Sequence, residues 1–324
     1  MRQCDDKRCI FEEEKEQHKR CFEEVTKITR EGKGVWEKCN RCNLVINRNG
    51  VKPQEVDKYY NDSYVHLNTY DKEKTQTPND HFQSRLSSMR PTADFLKQHL
   101  THNMHLMDIG AGTGELMYLL RDSVNYVCAN EINETYTEFI RNQLGIDAHS
   151  EDYLLRNTEK QFDCIISINT IDHMYNPRKV IEKIYTDLKD NGIIYIEVPN
   201  DDQALRHFLP EPQRTMFEEF MYQKAHYYSF SMNTLRRLLR EVGFKISIEQ
   251  YRHDYSFKNY LQWYYLGEPQ PKLVEAMGDA HLHTNSSNFG FEMNKFFDNI
   301  DIMFKEIMAR NKVGETLCIL GEKQ

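Results

Sequence analysis

The sequence has no long uninterrupted hydrophobic run. Its first thirty residues are dense in Glu, Lys and Arg, which is unlike a secretory signal or a membrane-spanning helix. It also has no internal repeat or low-complexity tract, features that would indicate a solenoid or a disordered array. We therefore expect a cytoplasmic protein with no membrane partner.

The sequence also has no excess of positive charge. Its 42 Lys and Arg residues face 50 Asp and Glu residues, giving a formal net charge of −8. No overall basic field would attract nucleic acid, although the net charge does not exclude a local basic patch. With 324 residues and 39% hydrophobic content, the chain can bury one full-size core and a small satellite.

The eight cysteines do not form an evident disulfide framework. Three of them fall inside apolar strands, where we expect core positions: Cys128, Cys164 and Cys318. The other five lie in the first 42 residues.

The Cys39-x-x-Cys42 spacing is that with which two thiolates hold one zinc ion. The second ligand pair is either Cys4 with Cys9 or His18 with Cys21, and the alternative is a reduced pair without metal. A charged segment of this size has little core of its own, so bound zinc would supply much of its folding energy and serve a structural role.

A glycine turn, Asp108 to Gly114, follows the short apolar run Leu106 to Ile109 and precedes an amphipathic stretch from Glu115. Alternate glycines permit φ > 0 and let a ligand approach the backbone, while the helix start offers N–H groups. In a dinucleotide-binding turn, spaced G-x-G-x-x-G or -A, the position of Glu115 would need a small residue. The spacing therefore favours a nucleotide-like ligand without a pyrophosphate.

Strands and helices alternate after this turn. Glu131 ends the next strand, where a carboxylate can accept both ribose hydroxyls, although this position alone does not separate S-adenosylmethionine (SAM) from NAD. The alternation predicts a doubly wound, Rossmann-like α/β sheet. Its predicted elements are strand 126–130, helix 133–144, strands 146–149 and 162–168, a helix from Pro177, strands 193–198 and 244–251, helix 291–311 and an antiparallel strand 315–321.

Five ordered blocks resemble a subfamily of the class I SAM-dependent methyltransferases. These are the glycine turn 108–114, FDCII at 162–166, DHMYNP at 172–177, EVPN at 197–200 and HYYSFSMNTLRRLLREVGF at 226–244. The resemblance implies a seven-stranded sheet, SAM as cofactor, and many relatives that modify sugars or small metabolites. It also implies an N-terminal cysteine module at 1–60, a joint or lid at 61–84 and a methyltransferase domain at 85–324. Tyr60 and Tyr64, in the tyrosine-rich segment, would close over the cofactor, and the alternative is that this segment is only a hinge.

The resemblance also implies roles for the residues around the cofactor. The methionine end of SAM would be bound by Gly110, Ala111, Gly112 and Gly114. The methionine amino group would contact Asp108, and the ribose would contact Glu131. Ile132 is expected against the adenine face, and Asp152, with Glu151 in reserve, at the adenine amine. Asn169 ends a neighbouring strand on the ligand side.

The acceptor side is predicted from insertions at 201–225 and 251–290, which we expect to form caps. An aromatic series at 251–265 suits stacking on a sugar or base, but equally a core or a homodimer contact. His226 and His173 are the candidate general bases, with His207 weaker. The alternatives are that Asp172 and His173 cap the next helix and that His226 only bonds the backbone.

Together these features predict a SAM-dependent methyltransferase acting on an O or N atom of a small molecule, such as a sugar or nucleotide-sugar. The first alternative is an RNA base methyltransferase with a zinc recognition module, which would need a basic track on its surface. The second is a catalytically silent partner protein, distinguished by whether SAM binds.

Overall fold

A computed structural model describes residues 10–11, 22–30, 32–51, 77–158, 161–271, 276–278 and 287–324. Its strands form two sheets. The strands are β1 Phe22–Thr29, β2 Gly32–Cys39, β3 Val45–Asn47, β4 His105–Ile109, β5 Tyr126–Asn130, β6 Asp147–His149, β7 Phe162–Ile168, β8 Leu188–Pro199, β9 Tyr228–Ser229, β10 Phe244–Arg252 and β11 Thr316–Lys323.

Helices connect and cover these strands. They are α1 Pro78–Leu86, α2 Arg90–Lys97, α3 Glu115–Leu120, α4 Glu134–Phe139, α5 Pro177–Asp187, α6 Ala204–Phe208, α7 Gln213–Met221, α8 Met232–Val242, α9 Phe257–Leu266 and α10 Asn288–Arg310. A π-helical turn, Ile140–Leu144, continues α4 to Gly145. A 3₁₀ turn, Ile171–His173, follows β7.

The larger sheet has seven strands in the order β10-β11-β8-β7-β4-β5-β6. The pairs from β8 to β6 are parallel, and β11 is antiparallel to both β8 and β10. The strand order reverses between β4 and β7, so a crevice opens beyond their carboxyl ends. The predicted doubly wound α/β sheet and its antiparallel last strand are confirmed.

The sheet is buried on both faces. Neighbouring residues of β7 enter different clusters: Ile165 packs with residues of α5 and α8, and Ile166 packs with residues of α2 and α3. This explains why the centre of β7, residues 164–166, is apolar at consecutive positions rather than at alternating ones. Because the central strands are fixed from both sides, the loops at their carboxyl ends have rigid supports.

The smaller, antiparallel sheet has the order β1-β2-β3-β9. Its first three strands come from the predicted cysteine module, and β9 comes from the segment between the cap and α8. Trp36 of β2 is fully buried and stacks on Tyr222, with ring centroids 4.6 Å apart. The N-terminal strands are therefore packed against the cap of the larger domain.

Two local predictions differ from the structure. The joint was expected to extend to residue 84, but α1 already begins at Pro78, because Thr77 and Asp80 form a capping box that starts the helix without an aliphatic stripe. Asp172 and His173 do not cap α5, since its N-cap is Asn176, whose side chain accepts from the Lys179 N–H. Among the described helices, none is long and apolar enough to cross a membrane.

Candidate active site

The loop after β4 adopts left-handed backbone conformations at each of its glycines. Gly110, Gly112 and Gly114 have φ of 76°, 57° and 86°. A Cβ added to Gly110 would lie 2.1 Å from Thr170 Oγ1, whereas a Cβ on Gly112 would meet only Glu115 Oε2, at 3.8 Å. Gly110 is thus required by close packing, and Gly112 leaves its backbone open to a ligand.

Glu131 connects this loop to the start of α4. One carboxylate oxygen accepts from the Gly112 N–H at 2.8 Å and the other from the Asn133 N–H at 2.9 Å. Burial raises the pKa of Glu131 to about 7, against the lowering effect of these two hydrogen bonds. The predicted ribose residue is therefore held rigidly beside the glycine loop by the backbone.

Asp108 lies beneath the same loop and is buried, only 4% exposed. Its Oδ1 has no hydrogen-bond partner among the described residues. Burial, followed by the charges of Glu115 and Glu131, raises the pKa of Asp108 to about 8. A buried carboxyl without a partner next to two other carboxyls is an arrangement that a cationic ligand would stabilise.

A third buried carboxyl, Glu115, begins α3 and is bonded from two directions. Thr113 Oγ1 donates to Glu115 Oε1 at 2.6 Å, and His81 Nδ1 and Arg85 Nε of α1 lie 3.7 and 3.9 Å from the same oxygen. Burial raises the pKa of Glu115, but these partners outweigh it, and the pKa is lowered. Glu115 is thus an anion at neutral pH.

His81 and Arg85 were not among the predicted site residues. Both belong to α1, most of which was interpreted as joint. The only sequence signal was the Thr-x-x-Asp capping pattern at Thr77, which predicts a helix start but not its partner. Their role follows from the packing of α1 against the glycine loop.

On the predicted adenine side, Ile132 is half-buried and follows Glu131 directly. Asp152 and Glu151 are exposed; the Asp152 carboxylate accepts from the Leu154 N–H at 2.9 Å. Asn130, not predicted, donates through Nδ2 to the backbone oxygens of His149 and Glu151. This side chain joins the ends of β5 and β6 and so shapes the side of the crevice where adenine was expected.

Beyond β7, Asn169 is exposed and has a φ of 48°. The next residue, Thr170, packs against Gly110, and its carbonyl accepts from the His173 N–H at 3.0 Å. The strained residue and the following 3₁₀ turn carry the chain from the glycine loop to the predicted bases. The cofactor-side and acceptor-side residues are therefore neighbours.

The structure brings His173 and His226 together, with Asp172 beside them. The two imidazole centroids are 4.3 Å apart, and Asp172 Oδ2 lies 3.7 Å from His173 Nε2 and 3.5 Å from His226 Nδ1. Burial lowers the pKa of His173 to about 4 and lowers that of His226 well below its usual range. Burial raises the pKa of Asp172 to about 7. Both imidazoles are thus neutral at pH 7.

The weaker candidate His207 lies on α6 and is exposed, apart from this cluster. The two insertions meet in a small apolar core: Trp263 of α9 is 2% exposed and packs on Phe217 of α7 with ring centroids 5.0 Å apart. Tyr264 and Tyr265 are 40% and 69% exposed. The aromatic series therefore supplies both core and surface residues.

The Cys39–Cys42 segment forms a tight turn after β2. The Cys39 Sγ accepts from the Arg41 N–H at 3.4 Å, and the Asn43 N–H donates to the Cys39 carbonyl at 2.8 Å, with Asn43 at a φ of 60°. The other predicted metal residues, Cys4, Cys9, His18 and Cys21, and the predicted lid residues Tyr60 and Tyr64 lie outside the described residues.

A separate cavity of about 620 Å³ lies between α2, β10 and α10 and shares no lining residue with these groups. At its edge, Arg252 Nη1 and Thr92 Oγ1 donate to the fully buried Glu197, at 2.6 and 2.9 Å. All of these hydrogen bonds go to Glu197 Oε1, and Oε2 has no hydrogen-bond partner among the described residues. This charge network joins α2 to the sheet rather than facing the glycine loop.

The chain is similar to several solved structures at low sequence identity. No curated protein matches the chain. Among solved structures, a SAM-dependent methyltransferase from Archaeoglobus fulgidus is 16% identical, with 75% of this chain and 94% of that chain covered and a TM-score of 0.46. Magnesium protoporphyrin IX methyltransferase from Synechocystis PCC 6803, with bound SAH, is 9% identical, with 84% and 100% covered and a TM-score of 0.48.

A family model described as a methyltransferase domain matches residues 78–247. The matched segment begins at α1, includes the glycine loop, Glu131 and the Asp172–His226 cluster, and ends within β10. It therefore covers the centre of the seven-stranded sheet together with the groups gathered at its carboxyl edge. The chain belongs to the class I SAM-dependent methyltransferase family.

Proposed function

We propose that the chain binds SAM in the glycine loop and transfers its methyl group to an O or N atom of a small molecule, such as a sugar, nucleotide-sugar or related metabolite. The observation that carries this proposal is the group of buried carboxyls around the loop. Asp108, Glu115 and Glu131 are each less than 10% exposed, and Asp108 Oδ1 has no partner among the described residues. SAM carries an ammonium and a sulfonium, which such a site would stabilise.

The same carboxyls argue against a dinucleotide. Glu131 already accepts from the Gly112 N–H, an amide that a pyrophosphate would need as a donor. Glu115, held as an anion at the start of α3, would repel a pyrophosphate at that helix end. A phosphate-free, cationic nucleoside fits both constraints.

The residues are assigned as follows. Gly110, Ala111, Gly112 and Gly114 hold the methionine end, Asp108 accepts from its ammonium, and Glu131 accepts from the ribose hydroxyls. Ile132 packs on the adenine, Asp152 or Glu151 accepts from its amine, and Asn169 borders the crevice. The open Cβ position of Gly112 is where the ligand would approach the backbone.

SAM supplies an activated methyl group on sulfur, so the chain's main task is to position the acceptor. Positioning of this kind can contribute several kcal/mol, roughly 7–11 in well-oriented systems. If the acceptor atom carries a proton, that proton must leave. His226 and His173 are the groups beside the crevice that can take up positive charge, and Asp172 would stabilise it.

The acceptor class rests on two features. The net charge of −8 gives no general attraction to RNA, and the described parts of the two insertions share a small apolar core. We assign a structural zinc ion to the N-terminal cysteine turn, held by Cys39 and Cys42 at the Cys-x-x-Cys spacing, with Cys4 and Cys9 as the second pair predicted from the sequence. The cytoplasm, where SAM is made, is the compartment we propose.

The test begins with ligand binding by titration calorimetry. We expect SAM and S-adenosylhomocysteine to bind and NADH not to bind. Next, SAM with a labelled methyl group is incubated with panels of sugars, nucleotide-sugars, amines and total RNA. Label transferred to a small acceptor supports the proposal, label in RNA supports the alternative substrate class, and binding of NADH without SAM would refute the cofactor assignment.

A further inference from the structure

The Asp172–His173–His226 cluster contains two imidazoles and a carboxyl within reach of one another. Such a group can take up positive charge as a proton or as a metal ion. We infer that the three side chains form a binding site for one divalent transition-metal ion, which in the proposed reaction would hold the acceptor's hydroxyl or amine. The second half of this inference rests on the proposed function; the metal site itself does not.

The first argument is the placement of the donor atoms. One nitrogen from each histidine and a carboxylate oxygen all lie within 4.8 Å of one another. The two nitrogens lie 3.7 and 3.5 Å from Asp172 Oδ2. Two ligands bonded at 2.0–2.1 Å to a tetrahedral ion are about 3.3 Å apart, so the two nitrogen–oxygen distances need to shorten by only a few tenths of an ångström.

The second, independent argument is the state of Asp172. Its side chain is 1% exposed, and neither carboxyl oxygen has a hydrogen-bond partner among the described residues. A buried carboxyl is normally paired, because leaving it unsatisfied costs free energy. Oδ2 lies beside a nitrogen of each imidazole, so an ion held by the three groups would satisfy the carboxylate.

The backbone anchors around the cluster hold the ligands in place. The Asp172 carbonyl accepts from the Tyr227 N–H at 2.8 Å, and the His226 carbonyl accepts from Asn47 Nδ2 at 2.9 Å. The 3₁₀ turn and the β3–β9 pairing therefore fix the two ends of the cluster independently of its side chains. Binding an ion would need little reorganisation of the backbone.

The donor set also predicts which ions bind. Two imidazoles and one carboxylate are typical of Zn²⁺, Co²⁺ and Fe²⁺, whereas Mg²⁺ and Ca²⁺ prefer oxygen ligands. The His173 and His226 side chains remain 8% and 14% exposed, so the cluster is not sealed. An acceptor could reach the remaining coordination positions.

The ion would change how the acceptor's proton is lost. A divalent ion lowers the pKa of a bound hydroxyl, so the proton can pass to water without a histidine base. The acceptor oxygen would then form a bond to the methyl carbon as the carbon–sulfur bond breaks, and the electron pair of the broken carbon–sulfur bond would stay on sulfur. The histidines act as ligands in this form of the reaction.

The test compares metal uptake by the wild-type chain with that of Asp172→Asn and His226→Gln. Each metal-free protein is titrated with Zn²⁺ and with Co²⁺, and bound equivalents are counted after gel filtration. His207→Gln, an exposed histidine of α6, is the matched control. Any ion held by the cysteine turn is common to all four proteins, so the difference between them reports the cluster.

We expect the wild type and His207→Gln to bind one equivalent more than either cluster variant. The loss in affinity should exceed about 100-fold, more than the loss of an outer-shell partner causes. Equal uptake by all four proteins would overturn the metal site and leave the histidines as bases. Binding of S-adenosylhomocysteine, measured on the same samples, checks folding and tests the cofactor assignment separately.

Discussion

Binding of SAM should release protons from the buried carboxyls under the glycine loop. In the ligand-free chain, the pKa of Asp108 is about 8, raised by burial and then by Glu115 and Glu131. At pH 7 such a group is about 90% protonated, by simple titration. A ligand whose ammonium needs the carboxylate must drive off that proton, so Asp108 alone should release about 0.9 proton per SAM bound.

Glu131 adds to this release. Its pKa of about 7 leaves it half-protonated at neutral pH, for a total of up to about 1.4 protons. The same linkage makes affinity depend on pH with a known sign. Between pH 6 and pH 8 the contribution of Asp108 should strengthen SAM binding about 50-fold, because its carboxylate form becomes available as pH rises.

Titration calorimetry at pH 7, in buffers that differ in ionisation enthalpy, measures the number of protons directly. Asp108→Asn should bind SAM more weakly and release about 0.9 proton fewer than the wild type. Asp122→Asn, which removes an exposed carboxyl just after α3, should release as many protons as the wild type. Uptake of protons, or equal release by Asp108→Asn and the wild type, would refute the assignment of Asp108 to a cationic group.

Three further predictions concern the same loop. Glu131→Gln should weaken SAM binding by roughly ten-fold or more, because a side-chain amide cannot accept hydrogen bonds at both of its ends. Glu138→Gln, at an exposed position of α4, should leave the affinity unchanged. Unchanged affinity for both variants in calorimetry would contradict the ribose assignment. Gly112→Ala should stay folded, with a destabilisation of about 1–2 kcal/mol from its left-handed backbone conformation, but should lose SAM binding. Gly110→Ala should also lower the melting temperature sharply, because its Cβ would meet Thr170. Equal melting temperatures for the two variants would contradict the packing at Gly110. Because the pKa of Asp108 is raised from 3.8 to about 8, the ligand-free wild type should lose stability as the pH rises through that range. The melting temperature of Asp108→Asn, relative to that of the wild type, should therefore rise between pH 5 and pH 8. A constant difference between the two melting temperatures would count against a buried ionisable Asp108.

The fold could be predicted from the sequence because its signals are local. Each central strand is a short apolar run bounded by a turn, and the right-handed connection rule leaves few ways to arrange alternating strands and helices. The burial of β7 on both faces is visible as the consecutive apolar residues 164–166 at its centre. The helix α1 was missed because seven of its nine residues are exposed or half-exposed and its sequence has no apolar stripe, so that only the Thr77 capping box marks it.

The part of the candidate site that could be predicted is the part whose residues are close together in the sequence. The glycine turn and Glu131 lie within one strand–helix–strand unit, so their spacing carries their geometry. Contacts between distant segments have no such signal. The approach of His81 to Glu115, and the meeting of Asp172 with His226, depend on how α1 and β9 pack. The two histidines were predicted separately, and the carboxyl between them was considered only as a helix cap.

The N-terminal strands do more than precede the methyltransferase sheet. Strand β3 pairs with β9, which begins two residues after His226, and Asn47 of β3 donates to the His226 carbonyl. On the other side, Trp36 stacks on Tyr222, whose hydroxyl donates to Asp201 at the start of the cap. These contacts connect the cysteine turn, at the end of β2, to both the predicted acceptor cap and the histidine cluster. A zinc ion at that turn would therefore stabilise the acceptor side of the crevice through the four-stranded sheet, even though it lies outside the chemistry.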